Sequence, residues 1–266
     1  MVGITVPSCE LSPLGILGDR EWAIRDLDRG GIRGAKRIGA LMQFSAEPLG
    51  DGSKNVRITF PDGTQATSND ADVHDKLSQV LGIHVRLEAL PSADNVDHFR
   101  RGPAYENDPM AELRSVFGRT EDEPLPNFAV FPPEVVEFES PPGTHYDCWP
   151  LMVMTTSALY ALESALPDSV IDIRRFRPSV VIDGAPSGHA EFAWKGKKAQ
   201  IGSATIEFLD PCPRCVMPTR AINDDIPEDR AILRHIVRDL DQNLGVYARV
   251  LMPGVFSVDD DVVFTD

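Results

Sequence analysis

Length, composition and charge limit what this chain can be. With 266 residues, of which 42% are hydrophobic, it is long enough to bury a full core in one or two domains. Its formal net charge of -15 repels phosphate backbones and anionic lipids, so neither nucleic acid nor a membrane surface is expected as a partner. An anionic ligand would need a local basic pocket.

The cysteines and the apolar runs indicate the compartment. Of the four cysteines, Cys212 and Cys215 are close in sequence whereas Cys9 and Cys148 are isolated, unlike the dense disulfide framework of a small secreted domain. No apolar run approaches the roughly 20 residues that span a bilayer, and the amino terminus lacks the basic and apolar segments of a signal peptide. We therefore expect a soluble, cytoplasmic protein.

The first half of the chain combines short strands with one helix. Residues 56–60 alternate in polarity and end at residues 61–64, where Pro and Gly preset turn angles, so a hairpin is predicted. Residues 72–81 have apolar side chains at helical spacing, and Gly82 is suited to the left-handed position after a helix. Alternation returns at residues 85–90, which predicts a further strand.

The middle of the chain has a different composition. Residues 92–142 are polar, acidic and rich in proline. Such a composition is typical of a connecting segment, and we expect a long surface excursion between residues 1–91 and residues 143–266.

The second half again contains many short strands and few helices. Its predicted strands are residues 151–155, 180–182 and 204–209, with renewed alternation over 246–264, and its predicted helices are residues 157–166 and 227–240. Taken over the whole chain, these patterns predict a mainly β fold with helices, of the α+β class.

The strongest chemical signal is the Cys-Pro-Arg-Cys run at residues 212–215. A structural zinc site needs four ligands, yet no second Cys-x-x-Cys and no suitably spaced His pair is present. A thioredoxin-like pair needs a helix to follow its first cysteine, but prolines bracket this motif and no helical periodicity follows. Two uses remain: buried hydrophobic thiols, or one thiolate that binds a metal carried by a cofactor. The prolines favour an exposed rim, because proline cannot donate to a strand ladder.

Several segments, in the same order, carry a resemblance to a known family. They are Leu-Ser-Pro-Leu-Gly at 11–15, Gly-Asp-Arg-Glu-Trp at 18–22, Ala-Lys-Arg at 35–37, Pro-Pro-Gly-Thr at 141–144, Arg-Phe-Arg-Pro at 175–178 and Pro-Arg-Cys at 213–215. Together they resemble the MOSC family, the molybdenum-cofactor-binding domains related to the C-terminal part of molybdenum cofactor sulfurases. The resemblance implies an N-terminal β-barrel-like region over residues 1–91 and a MOSC β-barrel domain over residues 143–266.

The resemblance also implies a cofactor and its main anchors. Family members bind a molybdopterin-type molybdenum cofactor, and one cysteine thiolate completes the sulfur ligation of the metal. By position that metal ligand is Cys215, which would also be catalytic. Lys36 and Arg177 are the implied contacts for phosphate and pterin, since an Arg presents a planar fork to phosphate oxygens and stacks on flat rings.

Four further positions are secondary candidates. Arg214 either stabilises the thiolate or is a surface charge. Ser179 stands where relatives often have Asn and offers a polar contact to the cofactor, and Thr219 offers a hydroxyl near the metal loop or simply favours a strand. Asp147 matches the family pattern and is a candidate for proton delivery during catalysis, or a turn cap.

The implied activity resembles that of the amidoxime-reducing members: oxygen is removed from a small N-hydroxylated or N-oxide substrate at a Cys-ligated molybdenum centre. No dinucleotide-binding glycine fingerprint is present, so electrons are expected from an external reductase. Two alternatives stay open: sulfur transfer through a cysteine persulfide, and a non-catalytic carrier of the molybdenum cofactor.

Overall fold

The computed structural model describes residues 1–104 and 108–265, and residues 105–107 and 266 lie outside this description. Within it, the strands are β1 (Ser8–Ser12), β2 (Gly15–Ile16), β3 (Trp22–Asp26), β4 (Ser45–Pro48), β5 (Val56–Thr59), β6 (Gln65–Thr67), β7 (Val85–Ala89), β8 (Leu151–Thr155), β9 (Val180–Ile182), β10 (Lys198–Ile201), β11 (Ala204–Pro213), β12 (Asn243–Met252), β13 (Gly254–Ser257) and β14 (Val262–Thr265). The helices are α1 (Val73–Leu81), α2 (Val96–Phe99), α3 (Pro109–Phe117), α4 (Thr156–Ala165) and α5 (Arg230–Asp239). The predicted α+β fold class, dominated by strands, is confirmed.

The second half is built on a six-stranded sheet in the order β14-β10-β11-β12-β8-β9. Its pairs are antiparallel except β8 and β9, which run parallel because α4 crosses over between them. Helix α4 begins where the Thr155 hydroxyl accepts a hydrogen bond from the Ala158 N–H. This sheet is the counterpart of the predicted MOSC barrel, and no described helix is both long and apolar enough to cross a bilayer.

The first half contains two smaller antiparallel sheets, β3-β7 and β4-β5-β6. The predicted hairpin over 56–64 is confirmed as β5 and β6, and the predicted helix is α1, which ends at a left-handed Gly82 with φ 68°. Ile222 and Ile226 from the second half complete the core beneath these sheets. The two halves therefore share a core.

The two ends of the chain also meet. Strand β1 pairs antiparallel with both β2 and β13, so residues from the start and the end of the chain form one three-stranded sheet. The division into residues 1–91, 92–142 and 143–266 stays a prediction.

The segment from 92 to 142 carries α2, α3 and two short 3₁₀ turns. Phe99 and Glu139 are buried in it, and the Val116 carbonyl accepts a hydrogen bond from the Val216 N–H, next to the cysteine motif. The described part of this segment thus packs against the second half.

Strand β11 is longer than the alternation predicts. It continues from Leu209 through Cys212 to Pro213, and its register against β12 shifts around Pro211. These irregularities allow prolines in the strand, because a bulge leaves a position at which no N–H is needed. Helix α5 starts later than predicted, since the Asp229 carboxylate caps it by accepting from the Ala231 N–H.

Candidate functional site

A cleft of about 1610 Å³ brings together residues that are far apart in sequence. Its wall includes Lys36, Asp147, Arg177 and Ser179, four of the seven residues that the sequence suggested as site residues. Lys36 follows β3, Asp147 precedes β8, and the other two precede β9. The fold therefore brings Lys36 and Arg177 together in one part of a cleft whose whole lining also includes nine Asp and Glu side chains.

Lys36 is held in the wall by two carboxylates. Its Nζ lies 3.1 Å from Oε1 of the buried Glu139 and 3.3 Å from Oδ1 of Asp147. Burial alone would lower the pKa of Lys36, but Asp147 and Glu139 outweigh it and raise the pKa, with a smaller contribution from the charge of Cys215. Lys36 is therefore a fixed, protonated ammonium at neutral pH.

Asp147 faces the cleft, with 54% of its side chain exposed. Burial acts to raise the pKa of this carboxyl, yet Lys36, Arg20 and Arg177 outweigh it and lower the pKa. Three cations thus act on a single carboxylate, which is ionised at neutral pH.

Arg177 is a cleft cation with a buried donor that makes no hydrogen bond. Its Nε is buried and makes no hydrogen bond, and the residue sits in the left-handed region at φ 52°. Burial, with the positive charge of Arg20, lowers its pKa to about 10 despite opposing contributions from Asp19, Asp147 and Cys215. A buried N–H without an acceptor costs free energy, so this position favours a ligand that accepts a hydrogen bond.

Arg20 is a cleft residue that the sequence interpretation did not select. It too has a buried Nε without a hydrogen bond and a left-handed backbone, at φ 53°, and its guanidinium lies 4.8 Å from the centroid of the Tyr146 ring. Its carbonyl accepts from Nδ1 of His145 at 2.9 Å. The signal was available, because Arg20 lies inside the Gly-Asp-Arg-Glu-Trp segment that supported the family resemblance.

His145 is buried and is not a surface group. Because Nδ1 donates to Arg20, Nε2 must accept in the neutral ring, and it lies 3.0 Å from Nε2 of His98. Burial, with a smaller contribution from His98, lowers the pKa of His145 to about 4. His145 therefore supports the backbone of Arg20 as a neutral ring.

The two cysteines of the motif occupy different environments. Cys212 is 5% exposed at the end of β11, and burial raises the pKa of its thiol. Cys215 is half-buried in the loop that follows β11. It is not among the residues of the cleft wall, but it interacts electrostatically with Lys36 and Arg177, which are. Cys215 is therefore near these two cations and outside the cleft wall.

The remaining candidates make local bonds that shape the site. Arg214 is buried, so it is not a surface charge: Nη2 donates to the Phe176 carbonyl at 2.8 Å and Nη1 lies 3.6 Å from Sγ of Cys212. The Ser179 hydroxyl accepts from the Met152 N–H at 3.2 Å. Thr219, away from the cleft wall, donates its hydroxyl proton to the carbonyl of Val216 at 2.8 Å. Contacts from these residues to a cofactor stay a prediction.

Within residues 1–104 and 108–265, no group of three or more His, Cys, Asp and Glu side chains is arranged to hold a metal ion. Two partly exposed free thiols are described at or near the cleft: Cys9 in its wall and Cys215 outside the wall. A single thiolate suits a metal that arrives with its other ligands.

Comparison with known proteins identifies the second half. Residues 142–263 match the family model of the MOSC domain. This part of the chain is a MOSC domain. It contains Asp147, Arg177 and Cys215, whereas Arg20 and Lys36 reach the same cleft from the preceding half.

Curated relatives match over a shorter stretch. Mitochondrial amidoxime reducing component 2 from Macaca fascicularis is 32% identical over 73 residues, which cover 27% of this chain and 21% of that protein. The same-named protein from Bos taurus is 32% identical over 73 residues, covering 27% and 20%. The matched stretch spans about a fifth of the length of these relatives.

Among solved structures, YiiM from Geobacillus stearothermophilus aligns with 44% of this chain and 55% of its own, at a TM-score of 0.35 and 15% identity. YiiM from Escherichia coli aligns over the same shares at a TM-score of 0.34 and 17% identity.

Proposed function

We propose that the cleft binds a molybdopterin-type molybdenum cofactor, with Cys215 as the protein ligand of the metal. The observation that carries the proposal is the buried Nε of Arg177, which has no acceptor in a cleft shared with Arg20 and Lys36. Such a cofactor carries an anionic phosphate, and Arg donors are suited to phosphate oxygens. The half-buried thiol of Cys215 adds the soft ligand that such a metal accepts.

The residues divide by chemistry. Arg177 and Arg20 would donate to phosphate oxygens and stack against the pterin, which satisfies the two buried Nε groups. Lys36 would contribute a point charge from its pair with Glu139. Ser179 and Arg214 are proposed as further contacts, and Thr219 as a support of the loop that carries Cys215.

We further propose that the protein is an oxidoreductase that removes oxygen from a small N-hydroxylated or N-oxide substrate. The name of the relatives, amidoxime reducing component, supports this reaction class. When bound, the cofactor supplies the two-electron oxygen-atom chemistry. For an N–OH group the balance is two electrons and two protons taken up, the N–O bond broken, and one water released. Electrons are proposed to come from a separate reductase.

Asp147 is our candidate for proton transfer. Its pKa is lowered by its three cationic neighbours, so it is ionised and must take up a proton before it can deliver one. Lys36, whose Nζ lies 3.3 Å from Asp147, holds the carboxylate in place and keeps its own proton. We propose that Asp147 accepts a proton from solvent and passes it to the leaving oxygen.

The first test compares the two thiols of the motif. The protein, Cys215→Ser and Cys212→Ser are produced in a host that makes the cofactor, and molybdenum and pterin are measured per chain. We expect Cys215→Ser to lose molybdenum by at least roughly 10-fold and Cys212→Ser to stay within about twofold, because Cys215 is the proposed ligand and the thiol of Cys212 is buried. The reverse pattern would show that Cys212 is the ligand.

The second test separates the enzyme from its alternatives. Loaded protein is supplied with an artificial electron donor and benzamidoxime, and amidine formation is measured. Bound molybdenum and pterin without turnover would favour a carrier, whereas sulfane sulfur on a cysteine without molybdenum would favour sulfur transfer through a persulfide. Asp147→Asn, which keeps the shape of the side chain, is expected to lower turnover by roughly 100-fold while retaining molybdenum.

A further inference from the structure

The loop that carries Cys215 is held from outside the MOSC domain. The peptide bond between Arg214 and Cys215 is held at the Arg214 carbonyl, which accepts a hydrogen bond from Nη2 of Arg119 at 3.1 Å. The N–H of Arg214 donates to the Gln242 carbonyl at 2.9 Å, and the N–H of Val216 donates to the Val116 carbonyl at 3.0 Å. The backbone on both sides of Cys215 is therefore tied to neighbouring segments.

Arg119 joins two of these ties. Besides the Arg214 carbonyl, its Nε and Nη2 both lie 3.1 Å from Oε1 of Gln242, and Nη1 donates to the carbonyl of Phe117. Arg119 is 6% exposed and Gln242 is 9% exposed. Gln242 has a left-handed backbone at φ 71°, which is uncommon for a residue other than Gly. One planar guanidinium thus fixes both the Cys215 loop and the turn beside it.

We infer that Arg119 is a positioning residue for Cys215: from the segment before the MOSC domain, it fixes the peptide group next to the thiol and so sets where the sulfur is presented. The inference rests on the proposed function only where it says that a metal binds the sulfur; the position of the loop does not depend on it. The fork of an Arg is required, because a Lys ammonium keeps the charge but cannot bond two acceptors and a third carbonyl in one plane.

Hydrogen exchange tests this inference without any cofactor. Pro213 and Pro218 have no amide proton, so between them exchange reports only residues 214–217. We expect Arg119→Lys to accelerate the exchange of these amides by at least roughly 10-fold and to leave exchange in β12 unchanged. The reason is that the loop can then open without breaking the hydrogen bonds of Arg119, which lowers the free energy of local opening. Gln242→Met, which keeps the backbone carbonyl, is a second variant expected to accelerate the same amides.

Arg114→Lys is the matched control. Arg114 lies in the same segment, and its guanidinium donates to the carbonyls of Thr120 and Glu123 instead of to the Cys215 loop. We expect this variant to leave the exchange of residues 214–217 within about twofold of the wild type. Equal acceleration in Arg114→Lys and Arg119→Lys, or no acceleration in Arg119→Lys and Gln242→Met, would overturn the inference.

A second measurement on loaded protein keeps this claim distinct from the proposed function. If Cys215 ligates molybdenum, Arg119→Lys should release the metal about 10 to 100 times faster than Arg114→Lys, and the sulfur-to-metal absorption bands should shift. Wild-type protein without molybdenum would contradict the proposed function, while the exchange result would still decide whether Arg119 positions the loop. Metal release at the rate of the Arg114 variant with unshifted bands would contradict the positioning role.

Discussion

Two sets of buried arginines in this molecule differ in what satisfies them. Around the cysteine loop, Arg175, Arg119 and Arg214 donate to main-chain carbonyls, and Arg175 alone makes four such bonds while fully buried. In the cleft, Arg20 and Arg177 each have a buried Nε that makes no hydrogen bond, although Nε of Arg20 lies 3.6 Å from Oδ2 of Asp19. A buried donor that the protein leaves unpaired costs free energy, whereas a paired one stabilises. The contrast separates arginines whose donors bond main-chain carbonyls from the two arginines that we propose as contacts to the cofactor.

The largest expected effect comes from the first set. Arg175→Met removes donors to the carbonyls of Val170, Pro218, Arg220 and Pro227, all in the segments that frame the site. We expect the free energy of unfolding, from urea denaturation, to fall by about 3 to 5 kcal/mol, because a fully buried guanidinium and its four hydrogen bonds are lost together. A loss below about 1 kcal/mol would show that these bonds are replaceable and would weaken the contrast.

A pH effect of intermediate size concerns the support of Arg20. The pKa of His145 is about 4 in the folded protein and about 6.5 in the unfolded chain, so the unfolded state binds the proton first as the pH falls. The stabilisation is complete above pH 6.5 and is lost toward pH 4, by up to about 3 kcal/mol. Urea denaturation across this range should show the loss in wild type, and His145→Gln should flatten it. An equal slope in both proteins would assign the loss to other groups.

A smaller loss of stability is expected at Lys36. Lys36→Ala removes one partner of Glu139, whose side chain is 3% exposed, while Arg101 stays 2.8 Å from the same carboxylate. We expect unfolding to become easier by about 1 to 2 kcal/mol and cofactor content to fall, because a buried carboxylate is left less compensated. The double variant Lys36→Ala with Glu139→Gln should regain stability but not cofactor. Recovery of both would remove Lys36 from the binding site.

The smallest effect on stability is expected in the cleft itself. Arg177→Met deletes a buried, unpaired donor, so the free energy of unfolding should change by less than about 1 kcal/mol, or rise. Bound molybdenum and pterin should nevertheless fall by at least roughly 10-fold, since the side chain would be a main anchor of the phosphate. Strong destabilisation with unchanged cofactor content would place Arg177 with the structural arginines and would contradict its proposed role as a cofactor contact.

The sequence predicted regular elements well and irregular ones poorly. The hairpin over 56–64 and helix α1 follow from strict periodicity and from Gly82, which are local signals. The extension of β11 to Pro213 depends on register shifts against β12, which no local pattern encodes. The pairing of β1 with β13 joins opposite ends of the chain, and no local sequence pattern predicts it either.

At the site, the family resemblance indicated Lys36, Asp147 and Arg177, which the fold brings to one cleft. It could not indicate Arg119, because the importance of this residue comes from hydrogen bonds to Arg214 and Gln242, distant in sequence. Residue types and spacing identify candidates, but only the folded structure shows which donors remain unpaired.

The most direct test of the central claim is the molybdenum and pterin content of wild-type protein purified from a cofactor-producing host. We predict close to one molybdenum and one pterin per chain, both lost together when Cys215 is replaced by Ser. Protein that is folded and pure yet contains neither, under conditions in which a known molybdoenzyme from the same host is loaded, would contradict it.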